Sequence, residues 1–186
     1  MDALELLHNR VSCPVLLEPA PTAAQMQQLY RAAFRAPDHA CLRPWRFLVI
    51  EADKRNKLGA LYVDAALHDE PDLSESKQKK LLNAPLRAPL VVVAIADVKA
   101  HDKVPRTEQL ITAGCATQAM LYAAFAQGLG AMWRTGPMAY HSVVREGLGL
   151  AENEEIVGFL YLGQPKVIRQ APVLPVEDYV SNWEPV

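Results

Sequence analysis

The sequence predicts an α+β domain, a layer of few strands covered by more numerous helices. Three observations predict it. Apolar residues recur at helical spacing, as in Met26, Leu29, Tyr30, Ala33 and Phe34, which fall at i, i+3, i+4, i+7 and i+8. Only four short apolar runs, at 45–51, 89–97, 130–134 and 155–163, read as strands. No repeat or low-complexity linker divides the 186 residues, and 51% of them are hydrophobic, so residues 1–186 read as one domain with one core. The order of segments is compatible with both βαβ crossovers and antiparallel pairing.

The elements follow in order. A first helix is expected over 2–9, with Asp2 and Glu5 as a capping pair. A loop follows with Pro14, Pro19 and Pro21, and then Thr22 and Gln25 form a capping-box pattern ahead of the amphipathic helix that Pro37 ends. "WRFLVIE" (45–51) is a strand, and Asp53 is placed to cap a helix carrying Leu58, Leu61, Tyr62 and Ala65. A charged segment near 73–83 reads as a surface helix, and "PLVVVAIAD" (89–97) as a fully buried strand. A long helix is expected over 106–127, stopped by Gly128. Its small residues Ala113, Gly114, Ala116, Ala119, Ala123 and Ala124 suit close approach of a second element at a subunit interface. Then come a short strand "GAMWR" (130–134), a helix near 140–147, a strand "EIVGFLYLG" (155–163) and a proline-containing extended tail from Pro165.

Composition excludes several function classes. The net charge is −2 and "KQKK" (77–80) is too short for a nucleic-acid footprint. The longest apolar run, "APLVVVAIA" (88–96), falls far below the roughly 18 residues that span a bilayer. The acidic start "MDALELLHNR" does not read as a signal peptide. Cys13, Cys41 and Cys115 are scattered, which suits reduced thiols in a cytoplasmic protein rather than a disulfide framework. The five histidines have no HExxH spacing, so no metal site is expected.

Three basic clusters remain, each at an element boundary. Arg10 and Ser12 follow the first helix, where a guanidinium fork and a hydroxyl on one side of an extended segment suit a phosphate. Arg134 and Thr135 stand where a strand emerges, followed by Gly136, an arrangement suited to an anion or a ring edge. "RAPDHACLRPWRFLVI" (35–50) carries Arg35, Asp38, His39 and Arg43 between two buried elements. Each alone also describes an ordinary surface: Arg43 paired with an acid, Asp38 capping its loop, Trp45 in the core. No GxSxG, P-loop or GxGxxG accompanies them. Together they suit a phosphorylated, planar, electron-accepting group better than hydrolysis, and no catalytic acid–base dyad is expected.

The ordered set "NRVS", "RAPDHACLRPWRFLVI", "AQGLGAMWRTG" and "EIVGFLYLGQP" resembles the nitroreductase family, specifically its compact bacterial FMN-dependent NAD(P)H members, over nearly the whole chain. The resemblance implies a small, mainly antiparallel central sheet flanked by helices. It also implies a homodimer with two FMN sites at the interface, each built from both chains. It assigns FMN contacts to Arg10, Val11 (by its backbone) and Ser12, to Trp133, Arg134 and Thr135, and, from the partner chain, to Arg35 and His39. It aligns Ala123, Ala124, Phe125, Ala126, Gln127 and Gly128 with a segment assigned to NAD(P). Apolar periodicity instead makes that segment the end of a buried helix. Three departures stand out. Val11 replaces a second basic residue, Cys13-Pro14-Val15 stand where many relatives place Arg or Lys near the flavin pyrimidine, and Arg43 replaces a Gln before Pro-Trp. The implied reaction is ping-pong hydride transfer from NAD(P)H through flavin N5 to a small oxidant such as a nitroaromatic or quinone. The alternatives are a flavin-binding or flavin-processing protein without NAD(P)H turnover, and an interaction module that holds no flavin.

Overall fold

A computed structural model describes residues 2–184. Five strands form the sheet: β1 (Leu16–Leu17), β2 (Arg46–Glu51), β3 (Leu90–Asp97), β4 (Gly130–Arg134) and β5 (Glu154–Pro165). The order is β1-β5-β3-β2, with β4 also on β5, and every pair is antiparallel. The crossover option left open by the segment order is therefore not taken. Two sheet features differ from the sequence expectation. β1 is an additional two-residue strand inside the proline loop, pairing Leu16 with Pro165, and β5 runs longer than 155–163 because its two ends pair with different partners.

Among the described residues, seven helices flank the sheet: α1 (Ala3–Asn9), α2 (Ala23–Ala33), α3 (Lys54–Asp69), α4 (Glu75–Leu82), α5 (Arg106–Ala126), α6 (Pro137–Tyr140) and α7 (Ser142–Gly147). The capping box forms as the sequence predicts. Thr22 Oγ1 accepts from Gln25 N at 3.2 Å and Gln25 Oε1 accepts from Thr22 N at 2.9 Å. Asp2 accepts from Glu5 N at 2.9 Å. The Asp53 cap fails: Asp53 is itself helical (φ −65°, ψ −19°) and its side chain makes no capping bond.

Side chains of β3 divide the core in two. Val91, Val93 and Ile95 face α3 and α7 with Tyr62, Ala65, Val144, Phe159 and Tyr161. Leu90 and Val92 face α2 and α5 with Leu29, Ala116, Met120 and Leu160. Burial on both faces is why this strand lacks polar alternation. Ala113, Ala116 and Ala124 are almost fully buried within the chain, Ala116 and Ala124 against the sheet and α2, so these three do not face a subunit interface, which corrects the expectation for half of that small-residue set. Among the described residues, no helix is long and apolar enough to cross a membrane.

Candidate functional site

A cavity of about 760 Å³ lies on the α3 side of the sheet. β4 and its following turn supply Met132, Trp133, Arg134, Thr135 and Gly136; β5 supplies Phe159 and Tyr161; α3 supplies Tyr62. Lys77, Lys80 and Leu81 from α4 and Arg87 from the turn before β3 close the other side. Gly158 makes the sheet wall possible. A Cβ there would meet Trp133 Nε1 at 2.0 Å, so only glycine lets the indole lie across β5 and donate to Val157 O at 3.3 Å. The indole packs toward α5 on the α2/α5 half of the core, with its N–H already used, so Trp133 borders the cavity from the far face of the sheet. Gly136 (φ +106°) lets the chain turn from β4 into α6 in a conformation that other residues rarely adopt.

Arg134 is the centre of this wall. Its Cζ lies 5.4 Å from the Tyr161 ring centroid, and Nη2 donates to Pro14 O at 3.5 Å. That contact ties the stretch that follows Arg10, Val11 and Ser12 to β4; those three residues do not line the cavity themselves. Cys13 N donates to Ala131 O at 2.9 Å and fixes the same segment to β4. Burial pushes the Cys13 thiol up, so it is not a poised nucleophile. Arg10, at the C-terminal cap of α1, has a buried Nη1 without a hydrogen-bond partner, and Arg134 Nε is likewise buried and unpartnered. Burial also drives the Tyr62 phenol far above its ordinary range and raises Tyr161, which Arg134 and Arg87 pull back down. Both phenols stay protonated at neutral pH, as donors.

Arg35 and His39 are elsewhere. Arg35 lines a second cavity of about 590 Å³ with Phe34, Asp38, Cys41, Arg43 and Trp45. His39 Nδ1 lies 2.9 Å from Glu108 Oε2, both exposed. Asp38 caps this loop, accepting from Leu42 N at 3.2 Å and Arg43 N at 2.7 Å. The left-handed backbone at Ala40, Cys41 and Arg43 is held in part by those bonds. Trp45 packs on the α2/α5 half of the core. Residues 123–128 form the end of α5 and its cap. Ala124 is buried, Gly128 (φ +72°) closes the helix with Leu129 N donating to Ala124 O at 2.9 Å, and Gln127 Nε2 bonds Ala123 O at 3.0 Å. They line neither cavity described above.

One further cluster imitates a metal site. His68 Nδ1 and His141 Nε2 each lie 3.2 Å from Asp69. His141 Nδ1 accepts from Val143 N at 3.2 Å, so the neutral ring carries its proton on Nε2, aimed at the carboxylate. A metal-bound histidine needs the opposite tautomer. The cluster instead ties the end of α3 to the start of α7, and His68 first and His141 second hold the Asp69 carboxyl below its usual range.

Tyr62, Phe159, Tyr161, Lys80 and Arg87 escaped the sequence reading. The tyrosines look like core at helical or strand spacing, and the two cations look like surface. Only the proline-flanked position of Arg87 in "APLRAP" marked a turn.

Residues 7–164 match the family model described as Nitroreductase family. The chain belongs to the nitroreductase family. A member in Escherichia coli K12, provisionally named NAD(P)H nitroreductase YdjA, is 48% identical over 167 residues, 90% of either chain. The crystal structure of a nitroreductase-like family protein from Bacillus cereus superposes with a TM-score of 0.85 at 21% identity, covering 100% of this chain and 97% of that one. The FMN-dependent nitroreductase NfnB from Mycobacterium smegmatis, solved with NADPH, gives 0.75 at 16% identity and 98% coverage of both. These two share the family's fold with this chain.

Proposed function

We propose that this family member is an FMN-dependent oxidoreductase that works as a homodimer and draws on NAD(P)H. One observation carries the reading: Arg10 Nη1 and Arg134 Nε are buried guanidinium donors without partners, and Arg134 walls the aromatic cavity. Leaving a buried donor unpaired costs about 1–3 kcal/mol, so such donors imply an acceptor-rich ligand. A phosphate joined to a flat ring with carbonyl edges supplies those acceptors. The provisional name of the Escherichia coli relative and the described FMN and NADPH of the Mycobacterium smegmatis protein point the same way.

When bound, FMN would supply the two-electron chemistry that links NAD(P)H, in ping-pong order, to a small organic oxidant such as a nitroaromatic or quinone. The chain's residues bind, orient and set charge. Arg10, Ser12 and the backbone of Val11 hold the phosphate end. Arg134 reaches the Pro14 carbonyl from β4, and so places a cation beside the Cys13-Pro14-Val15 stretch, which carries none of its own. There it would stabilise negative charge on the pyrimidine edge of a bound flavin. Tyr161 would wall the ring, with Trp133 behind it in the α2/α5 core, and Thr135 and Gly136 would present backbone groups to its edge. Arg35 and His39 lie outside this cavity, which suits their serving the partner's flavin. Residues 123–128 act as helix end and core rather than as an NAD(P) contact.

The dimer has its own support. α1 buries none of its residues, and Leu4 and Leu7 stand 63% and 50% exposed. The tail leaves Val173, Tyr179 and Trp183 largely exposed as well. Apolar surface on this scale suits a partner subunit. The test is the absorption spectrum of the purified, FMN-supplemented chain before and after anaerobic NAD(P)H. Flavin bands that bleach support turnover. Bands that persist indicate a flavin-binding protein without NAD(P)H turnover, and no bands indicate an interaction module.

A further inference from the structure

We propose that the exposed side of the Tyr62–Tyr161 cavity selects aromatic acceptors that carry a carboxylate, with Lys80 and Arg87 as the groups that hold it. The inference rests on the flavin reading above and names the substrate class of that same site.

The charge distribution points to it. The cavity lining includes Lys77, Lys80, Arg87 and Arg134 and not one aspartate or glutamate. Lys77 is answered by Glu70 at 3.0 Å. Among the described residues neither Lys80 nor Arg87 has a carboxylate within 4.0 Å. Arg134 is committed to the flavin in the reading above, which leaves two cations with nothing opposite them. Nor are they needed for folding: α4 buries no residue, and Arg87 is exposed in the turn Pro85–Arg87. A cleft lined by one sign of charge, with low-dielectric walls, concentrates ligands of the opposite sign. Here the walls are aromatic, Tyr62 and Phe159 meeting edge to face at 5.6 Å, with Met132 and Met138 beside them. A flat ring suits those walls and an anionic substituent suits the rim.

For a nitroaromatic acid the balanced reaction is ArNO2 + NAD(P)H + H⁺ → ArNO + NAD(P)⁺ + H2O. Two electrons leave the nicotinamide, one nitro oxygen departs as water, and the carboxylate is unchanged. Its role is recognition alone.

The test compares 4-nitrobenzoate with 4-nitrobenzamide, which differ in charge but hardly in shape. Equilibrium binding to the oxidised, FMN-loaded protein is measured without NAD(P)H, and kcat/KM is then measured with it. In low salt the acid should bind about tenfold more tightly than the amide, the size expected of two exposed charge contacts. That ratio should fall to within about twofold of unity in Lys80→Gln/Arg87→Gln, and should shrink in wild type at about 0.5 M salt as screening sets in. The kcat/KM ratio should follow. A wild-type ratio near unity, or a ratio that survives the double substitution, overturns the proposal. Loss of FMN from the double variant, or a raised KM for NADPH with the acid-to-amide ratio intact, also overturns it by giving these cations to the flavin or the donor. A chain that takes up no FMN overturns the proposed function and this inference together, whereas a yellow, bleachable chain with a flat ratio overturns this inference alone.

Discussion

At the scale of single residues, Arg134 concentrates the account. It joins the 10–14 segment to β4 and lies against Tyr161 with a buried Nε unpartnered. A charge-assisted hydrogen bond contributes about 1.5–3 kcal/mol. Arg134→Ala should therefore weaken FMN binding by roughly ten- to a hundredfold, since about 1.4 kcal/mol is a factor of ten. Stability should fall less, because the contact to Pro14 is long and partly exposed. Titrating apo-protein with FMN, wild type beside variant, reads this directly; equal affinities would make Arg134 a structural strand-end residue. Arg10, Ser12 and Arg134 could be proposed from the sequence because polar groups at element boundaries stand out from packing, and the structure puts Arg134 in the cavity lining. Tyr62 and Tyr161 could not be proposed in this way. Their spacing is that of core residues, and what separates them from ordinary core is a cavity assembled from α3, β4 and β5, a long-range fact.

At the scale of elements, the Arg46–Glu154 pair fastens β2 to the start of β5 across β3. Arg46 Nη2 donates to Glu154 Oε2 at 2.6 Å, Nε bonds the other carboxylate oxygen, and Ala151 N adds a bond at 2.9 Å. Arg46 foremost holds the Glu154 carboxyl below its ordinary value of 4.5. The sign follows: a carboxyl depressed in the folded state adds stability that is fully present above its unfolded value and is lost as pH falls through the folded one. Glu154→Gln should cost about 2 kcal/mol at neutral pH by leaving Arg46 half-buried and unpaired, a drop in Tm of about 4–8 °C for a chain of this length. The gap between wild type and variant should narrow as pH falls below about 4.5. Thermal melts from pH 7 to pH 3 check this; a constant gap would show that the charge of Glu154 is irrelevant. Elements were the most legible level. Periodicity and capping located the helices because those signals are local. β1 was missed because two residues between Pro14 and Pro19 carry no period, and pairing with β5 alone makes them a strand. Asp53 misled for a related reason. An acid before a helix is a cap only if its backbone is extended, and here the helical geometry already includes it.

At the scale of the molecule, antiparallel order could not be read from segments whose lengths allow either pairing, and it was the resemblance to relatives that carried the sheet's expected form. The small-residue stripe of α5 shows the limit of composition. Small side chains permit close approach without saying to what, and here Ala116 and Ala124 pack with the chain's own sheet and α2 while Ala113 is buried within the chain. The unburied apolar face of α1 and the tail are better marks of a partner. Light scattering of the FMN-loaded protein at micromolar concentration should give twice the chain mass, with the C2 symmetry that most homodimers share; a flavin-loaded monomer would contradict the shared site.

The central claim is that this chain holds FMN and turns it over with NAD(P)H. It is tested most directly by anaerobic titration of the yellow protein with NADH and with NADPH, following the flavin absorbance. The account predicts that one of the two bleaches the bands with about one equivalent per bound flavin, and that a nitroaromatic or quinone added afterwards restores them. Protein that never takes up FMN, or whose flavin bands persist in excess of both donors, would contradict it.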